Sequence, residues 1–259
     1  MPKILVCYKW VLDEQDIKIN PSDLSLDSSR AKGKISDFDR NAIEEGTLLV
    51  EKLGGTVDAL TYGTPTVKQS LKDVLSRGPN KVFWIGDASA EKADAHVIAN
   101  VLAAAIRKIG PYDLIICGEG SSDSYNQQTA PRIAALLDLP AITYVEEISA
   151  SGNGFSATRK LADCTEVATV QGPAVISVLG EINKPRIPSL KQVLAASKKP
   201  SEEIKIAGLG LTPADLTPKV VCISVKGFVM SRKNVVYKDG DAAAKVAKFV
   251  ASLKKEGLC

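Results

Sequence analysis

The feature that most constrains this chain is the alternation of short apolar runs with helical patterns over its first two-thirds. Four apolar runs predict strands at 3–8, 57–62, 81–85 and 113–117, and glycine directly follows the last three. Helical patterns between and after these runs predict helices at 37–53, 67–76, 93–109 and 129–137, and the Ser36 side chain is predicted to cap the first of them. Strands that alternate with helices predict parallel βαβ units in a doubly wound, Rossmann-like α/β sheet covered on both faces.

The pattern changes after residue 140, where helical periodicity gives way to further strand-like runs. These runs lie at 141–147, 154–160, 164–170 and 174–179, and polar turns join them. The turn Ser-Gly-Asn-Gly at 151–154 is a hairpin signal. We therefore expect an antiparallel or mixed extension beside the mostly parallel core.

The last 79 residues, 181–259, contain no obvious core of their own. Their pattern predicts a coil at 183–189, a basic helix at 191–198 and a loop at 200–219, followed by a strand at 220–225 and a helix at 241–253. We expect a nucleotide-binding α/β domain at 1–180. We interpret 181–259 as a recognition loop and a C-terminal arm that packs on a partner.

Composition excludes several classes of protein. A net charge of +3 does not indicate a nucleic-acid binder, and the apolar runs are far too short to span a bilayer. Five scattered cysteines without metal-ligand spacing indicate reduced thiols and no metal site. With no signal-peptide pattern at the start, we expect a cytoplasmic protein. The single histidine, His96, lacks partners for a catalytic triad, so no catalytic residue is predicted.

The loop at 118–129, GEGSSDSYNQQT, is the segment richest in candidate binding groups. Its glycines permit close backbone approach, and its hydroxyl and amide side chains precede a predicted helix start. It is neither a P-loop nor the dinucleotide fingerprint, because the lysine of the first and the third glycine of the second are missing. The loop favours holding a nucleotide over breaking one, although glycine–serine loops are often only turns.

Four segments together resemble the beta-subunit family of electron-transfer flavoproteins. They are CYKWVLD at 7–13, ISDFDRNAIEE at 35–45, the loop at 118–129 and NKPRIPSL at 183–190. The resemblance covers the whole chain and is closest to the bacterial branch associated with acyl-CoA and carnitine metabolism. It implies a partner alpha subunit that carries FAD, and electron exchange with an acyl-CoA dehydrogenase, an acyl-CoA reductase or another flavoprotein.

The resemblance also implies an adenine nucleotide in this chain. In ordinary members the nucleotide is a structural AMP, and in electron-bifurcating members it is a second FAD that NADH reduces. The first loop, VLDE at 11–14, differs from the Val-Pro-Asp-Thr of bifurcating members, whereas Pro131 agrees with their pattern. Three interpretations stay open: an AMP-holding carrier subunit, a bifurcating subunit, and a stand-alone nucleotide-binding stress or sensor module.

The resemblance assigns residues to two sites. Leu190 is implied as a partner-docking residue, although it could simply begin the helix that follows. The implied nucleotide site draws on four loops, through Cys7, Lys9, Ser36, Asp37, Asp39, Tyr62, Gly63, Gly118, Asp123, Asn126, Gln127, Gln128 and Thr129.

Overall fold

A computed structural model describes residues 1–230 and 232–259. It divides into two compact units, which are described separately. The larger unit consists of Met1–Lys18 and Asp27–Val225, and the smaller one of Ile19–Leu26 and Lys226–Cys259. No helix in the described part of the chain is both long enough and apolar enough to cross a bilayer.

The strands and helices follow one another along the chain with clear bounds. The strands are β1 (Lys3–Cys7), β2 (Trp10–Leu12), β3 (Lys18–Ile19), β4 (Leu26–Asp27), β5 (Gly33–Ile35), β6 (Thr56–Gly63), β7 (Lys81–Gly86), β8 (Leu114–Gly118), β9 (Ala141–Ser151), β10 (Gly154–Lys160), β11 (Thr165–Gln171), β12 (Ala174–Val178) and β13 (Ser201–Glu203). The α-helices are α1 (Asp37–Leu53), α2 (Leu71–Ser76), α3 (Ala95–Ile109), α4 (Thr129–Leu137), α5 (Leu190–Ala196) and α6 (Ala242–Lys255).

One nine-stranded sheet organises the larger unit, in the order β11-β10-β9-β12-β8-β1-β6-β7-β13. The seven strands from β9 to β13 in this order run parallel, whereas β10 and β11 add an antiparallel ribbon. Small separate ladders join β2 to β5 and β3 to β4. The predicted fold class, a mostly parallel doubly wound sheet with an antiparallel extension, is confirmed.

Alternating side chains of the parallel strands fill two cores, one on each face of the sheet. Ile4 and Val6 of β1 face the core beneath α1 and α2, whereas Leu5 and Cys7 face the core beneath α3 and α4. Gly46 brings α1 close to the first face, because a Cβ there would lie 2.8 Å from Val6 Cγ2. Burial on both faces explains why these strands are continuously apolar in sequence.

One local prediction was confirmed in part and three were wrong. The predicted helix at 67–76 is a 3₁₀ helix (Pro65–Ser70) followed by α2, whereas the predicted loop at 200–219 contains β13, which pairs with β7. The run at 174–179 forms β12 inside the parallel core, not a strand of the antiparallel extension. The run at 220–225 forms no strand, because strong β propensity yields a strand only where a neighbour supplies hydrogen bonds.

The smaller unit is built around α6. Asp241 caps this helix by accepting a hydrogen bond from the Ala244 amide at 2.8 Å, and Tyr237 bonds to Ser252 on its surface. Among the residues described from 220 onward, none is buried. Val246, Phe249 and Val250 of α6 therefore remain substantially exposed.

Candidate functional site

The candidate site lies where the direction of strand succession reverses. From β1 the chain proceeds to β6 and β7 on one side, and then returns to place β8 on the other side of β1. The carboxyl ends of β1 and β8, at Cys7 and Gly118, therefore lie side by side at the carboxyl-terminal side of the sheet. In open α/β sheets such a switch point forms the crevice in which ligands bind.

A cleft of about 70 Å³ opens at this switch point. Ala95, Ile98 and Leu102 of α3 form an apolar wall that the sequence analysis did not include. Eight of the implied site residues also line the cleft: Cys7, Lys9, Asp39, Tyr62, Gly118, Asn126, Gln127 and Thr129.

Asp39 lies at the base of the cleft and joins its two principal loops. Its carboxylate accepts hydrogen bonds from the backbone N–H of Lys9 at 2.8 Å and of Gly118 at 3.2 Å. A Cβ at position 118 would lie 2.7 Å from Asp39 Oδ1, so glycine is needed for this close approach. Burial raises the pKa of Asp39 to about 7, although the two amide donors and the Lys9 charge oppose the shift.

Asp123 organises the loop after β8. It forms an ion pair with Lys9, with a distance of 2.7 Å between Lys9 Nζ and Asp123 Oδ2, and it accepts hydrogen bonds from the Ser121 hydroxyl and the Ser124 amide. Burial alone would raise the pKa of the Asp123 carboxyl, but the Lys9 charge and these hydrogen bonds hold it below its usual value. Asp123 therefore fixes the shape of the loop.

The start of α1 is joined to the same loop by two serines. The predicted capping of α1 by the Ser36 side chain was wrong. Instead, the Ser122 amide donates to Ser36 Oγ at 3.2 Å, and the Asp37 amide donates to Ser122 Oγ at 3.0 Å. A residue 85 positions away thus satisfies an orphan N–H of the helix.

The remaining implied residues lie around the cleft without lining it. Gly63 at the end of β6 packs beside Val67, and it follows Tyr62, which lines the cleft and shares a hydrogen bond with Ser89 at 3.1 Å. The Gln128 side chain turns away and accepts a hydrogen bond from Arg132. The structure thus brings Ser36 and Asp37 to the loop that contains Asp123. Gly63 and Gln128 lie at the edge of the cleft.

The cleft carries no activated thiol at Cys117. A hydrogen bond with Cys7 and complete burial raise the pKa of the Cys117 thiol, so it remains protonated at neutral pH. The Asp123 carboxylate is likewise paired with Lys9.

The cleft contains donor groups of the kind that bind phosphate. The Ser121, Ser124 and Thr129 side chains reach its lining, and α4 begins there with no side chain capping its first-turn amides. Such free amides at a helix start bind phosphate. The volume is below the roughly 300–1,000 Å³ of typical ligand sites, so a nucleotide would extend across the mouth of the cleft.

Leu190 lies on a separate surface. It is the first residue of α5, as the simpler alternative expected, and it is also 75% exposed. Ser189 and Gln192 form a capping box at the start of this helix. Leu190 therefore lies on a defined helix start and still presents its side chain outward.

The fold and the cleft define a doubly wound, Rossmann-like α/β protein with a cleft at its switch point. The family described as the electron transfer flavoprotein domain matches residues 23–209, which is most of the chain. The match includes the loop at 118–129 and the segment at 183–190. The chain belongs to the electron transfer flavoprotein family.

Proposed function

We propose that this chain is the beta-type subunit of a heterodimeric electron-transfer flavoprotein, paired with an alpha-type subunit that carries FAD. The observation that carries this proposal is a hydrogen-bonded switch-point cleft, built to hold a ligand, in a chain of the electron transfer flavoprotein family. FAD supplies the one-electron steps of such a pair when it is bound. This chain supplies a nucleotide site and docking surfaces.

The nucleotide that we propose for the cleft is AMP, held in a structural role. Lys9, the serine hydroxyls and the first amides of α4 supply cationic and N–H or O–H donors for a phosphate. The first loop, VLDE at 11–14, departs from the pattern of electron-bifurcating members and therefore favours a mononucleotide over a second FAD. Tyr125 supports this choice because its bulky ring narrows the space beside Gly120. A Cβ placed on Gly120 would lie only 2.7 Å from the Tyr125 ring.

The segment from residue 220 onward supports the pairing with an alpha-type subunit. Ile223 is 97% exposed and Phe228 is 77% exposed, and further apolar side chains of this segment are open to solvent. Apolar surface of this extent marks a protein interface. We therefore propose that 220–259 is the part of the chain that covers the flavin-bearing subunit.

Leu190 is the residue that we propose for docking the electron donor or acceptor, an acyl-CoA dehydrogenase or reductase. Ile187 is 93% exposed and Leu194 is 60% exposed, so the three side chains form a small apolar surface. Exposed apolar side chains on a rigid element are common anchors in protein interfaces.

The experiment that tests the proposal uses the chain co-purified with its flavin-bearing partner and an acyl-CoA dehydrogenase reduced by its substrate. We expect Leu190→Ala to raise the KM for the dehydrogenase about tenfold and to leave the pair intact. Val167→Ala, which removes an equally exposed side chain from β11, is the matched control. Unchanged electron exchange in Leu190→Ala would contradict the docking role, and a stable monomer without any flavin partner would favour the sensor-module alternative.

A further inference from the structure

Helix α1 carries buried polar side chains whose partners lie far away in sequence. Asn41, Glu44 and Glu45 are all less than 9% exposed, although they lie on the side of α1 that sequence pattern would leave to solvent. Their partners lie in the segment that precedes α5. Buried polar groups are hydrogen-bonded in native structures, so this face of α1 requires that segment.

Arg186 is the centre of these contacts. Its guanidinium forms a fork with Glu44, with Nε 2.8 Å from Oε2 and Nη2 2.9 Å from Oε1, and a second fork with Glu51 at 2.7 and 3.0 Å. The Arg186 amide also donates to Glu44 at 3.1 Å, and the Arg186 carbonyl accepts from Arg77. Side chain and backbone of one residue are therefore both fixed.

Asn183 adds a second connection to the same helix. Asn41 donates to the carbonyls of Gly180 and Asn183 at 2.9 Å, and Asn183 donates back to the Asn41 carbonyl and to Glu45, both at 3.0 Å. This reciprocal pair fixes the coil three residues before Arg186. The contacts of Asn183 and Arg186 with α1 are called the clamp below.

Lys199 fixes the other end of the segment that contains Leu190. Its ammonium donates to the carbonyls of Leu75, Gly78 and Pro79, at 2.7 to 3.0 Å, at the end of α2. Between the clamp and Lys199, the apolar side chains of Ile187, Leu190 and Leu194 project into solvent. The segment is thus held at both ends and exposed in the middle.

We propose that Arg186 is a positioning residue: through Glu44 and Glu51 it holds the 187–194 surface in the orientation in which a redox partner binds. The inference rests on the proposed docking function of Leu190. Its physical basis is that fixing a binding element beforehand removes the entropy cost of ordering it on association. The two forks need the planar guanidinium, which a lysine cannot replace.

The test compares Arg186→Gln, Arg186→Lys and Glu51→Gln in the full chain, co-purified with its flavin-bearing partner. We expect Arg186→Gln to raise the KM for a substrate-reduced acyl-CoA dehydrogenase about five- to tenfold, with kcat unchanged. The KM of Arg186→Lys should lie between those of Arg186→Gln and the wild type. Glu51→Gln should raise the KM least, because Glu51 is half exposed. Hydrogen–deuterium exchange should rise at 184–196 alone.

Arg159→Gln is the matched control, because it breaks a comparable arginine–glutamate pair, with Glu166, on the antiparallel ribbon. If Leu190→Ala raises KM and Arg186→Gln leaves both KM and exchange at 184–196 unchanged, the positioning role is overturned and docking stands. If exchange rises throughout the chain, the effect is general unfolding and the positioning role is also overturned. If Leu190→Ala itself has no effect, the docking function fails, and this inference fails with it.

Discussion

The switch-point cleft and the segment from 220 to 259 differ in how their side chains are covered. In the cleft, Asp39, Asp123 and Lys9 are hydrogen-bonded to one another's loops within a single chain. In the segment, side chains such as Ile223 and Phe249 are exposed, and among its described residues none is buried. The cleft is therefore held in shape by contacts within the chain, whereas the segment leaves open an apolar surface of the kind that marks interaction sites.

The largest effect is expected from Phe249→Asp, which places a charge in the exposed apolar face of α6. Because a buried unpaired carboxylate is costly in an interface, we expect the affinity for the flavin-bearing subunit to fall about a hundredfold or more. Sedimentation analysis of the two mixed subunits measures this change. Ala247→Asp, at an exposed position about 200° around the helix from Phe249, is the control. Equal weakening by both substitutions would contradict an interface on this face.

The second prediction concerns the pH dependence of the cleft through Asp39. Its pKa is raised in the folded chain, so between about pH 4 and 7 the folded state binds more protons than the unfolded state. The free energy of unfolding therefore falls as pH rises through this window. We expect the wild type to lose about 3 kcal/mol relative to Asp39→Asn between these two pH values.

Urea unfolding of the isolated chain at a series of pH values measures the Asp39 effect. Asp163→Asn, on an exposed turn, is the matched control. A wild type that gains stability relative to Asp39→Asn as pH rises would show that the carboxylate is favoured by the fold. In that case the amide donors of Lys9 and Gly118 would outweigh burial.

The smallest effect is expected from Asp123→Ala, which removes the acceptor that shapes the loop after β8. Lys9, Ser121 and Ser124 would lose their shared partner. We expect the affinity for AMP, measured by calorimetry, to fall about tenfold while subunit pairing is unchanged. Asp163→Ala is the control for loss of an exposed carboxylate. Weakened pairing with unchanged AMP affinity would reverse the roles assigned to the two regions.

The sequence predicted those parts of the fold that local periodicity determines. The parallel strands and the helices α1, α3 and α4 follow from apolar runs and stripes that neighbouring residues define. β13 was missed because Ser-Glu-Glu has no strand pattern, and only the edge of β7 makes it a strand. The run at 220–225 failed for the opposite reason, because it has the propensity and lacks the neighbour.

The candidate site shows the same division. The loop at 118–129 was visible as a run of glycines and hydroxyl residues. Burial of Asn41 and Glu44 was not visible, because it depends on Asn183 and Arg186, which lie about 140 positions away. The Ser36 cap was wrong for the same reason, since Ser122 supplies the contact. Long-range polar pairing leaves no periodic signal in a single sequence.

The most direct test of the central claim is to count the nucleotides released on denaturation from the purified complex of this chain and its flavin-bearing partner. Chromatography with mass detection identifies each released species. The account predicts one AMP and one FAD for each pair of chains. Two FAD molecules for each pair, one of them bleached by NADH, would contradict it.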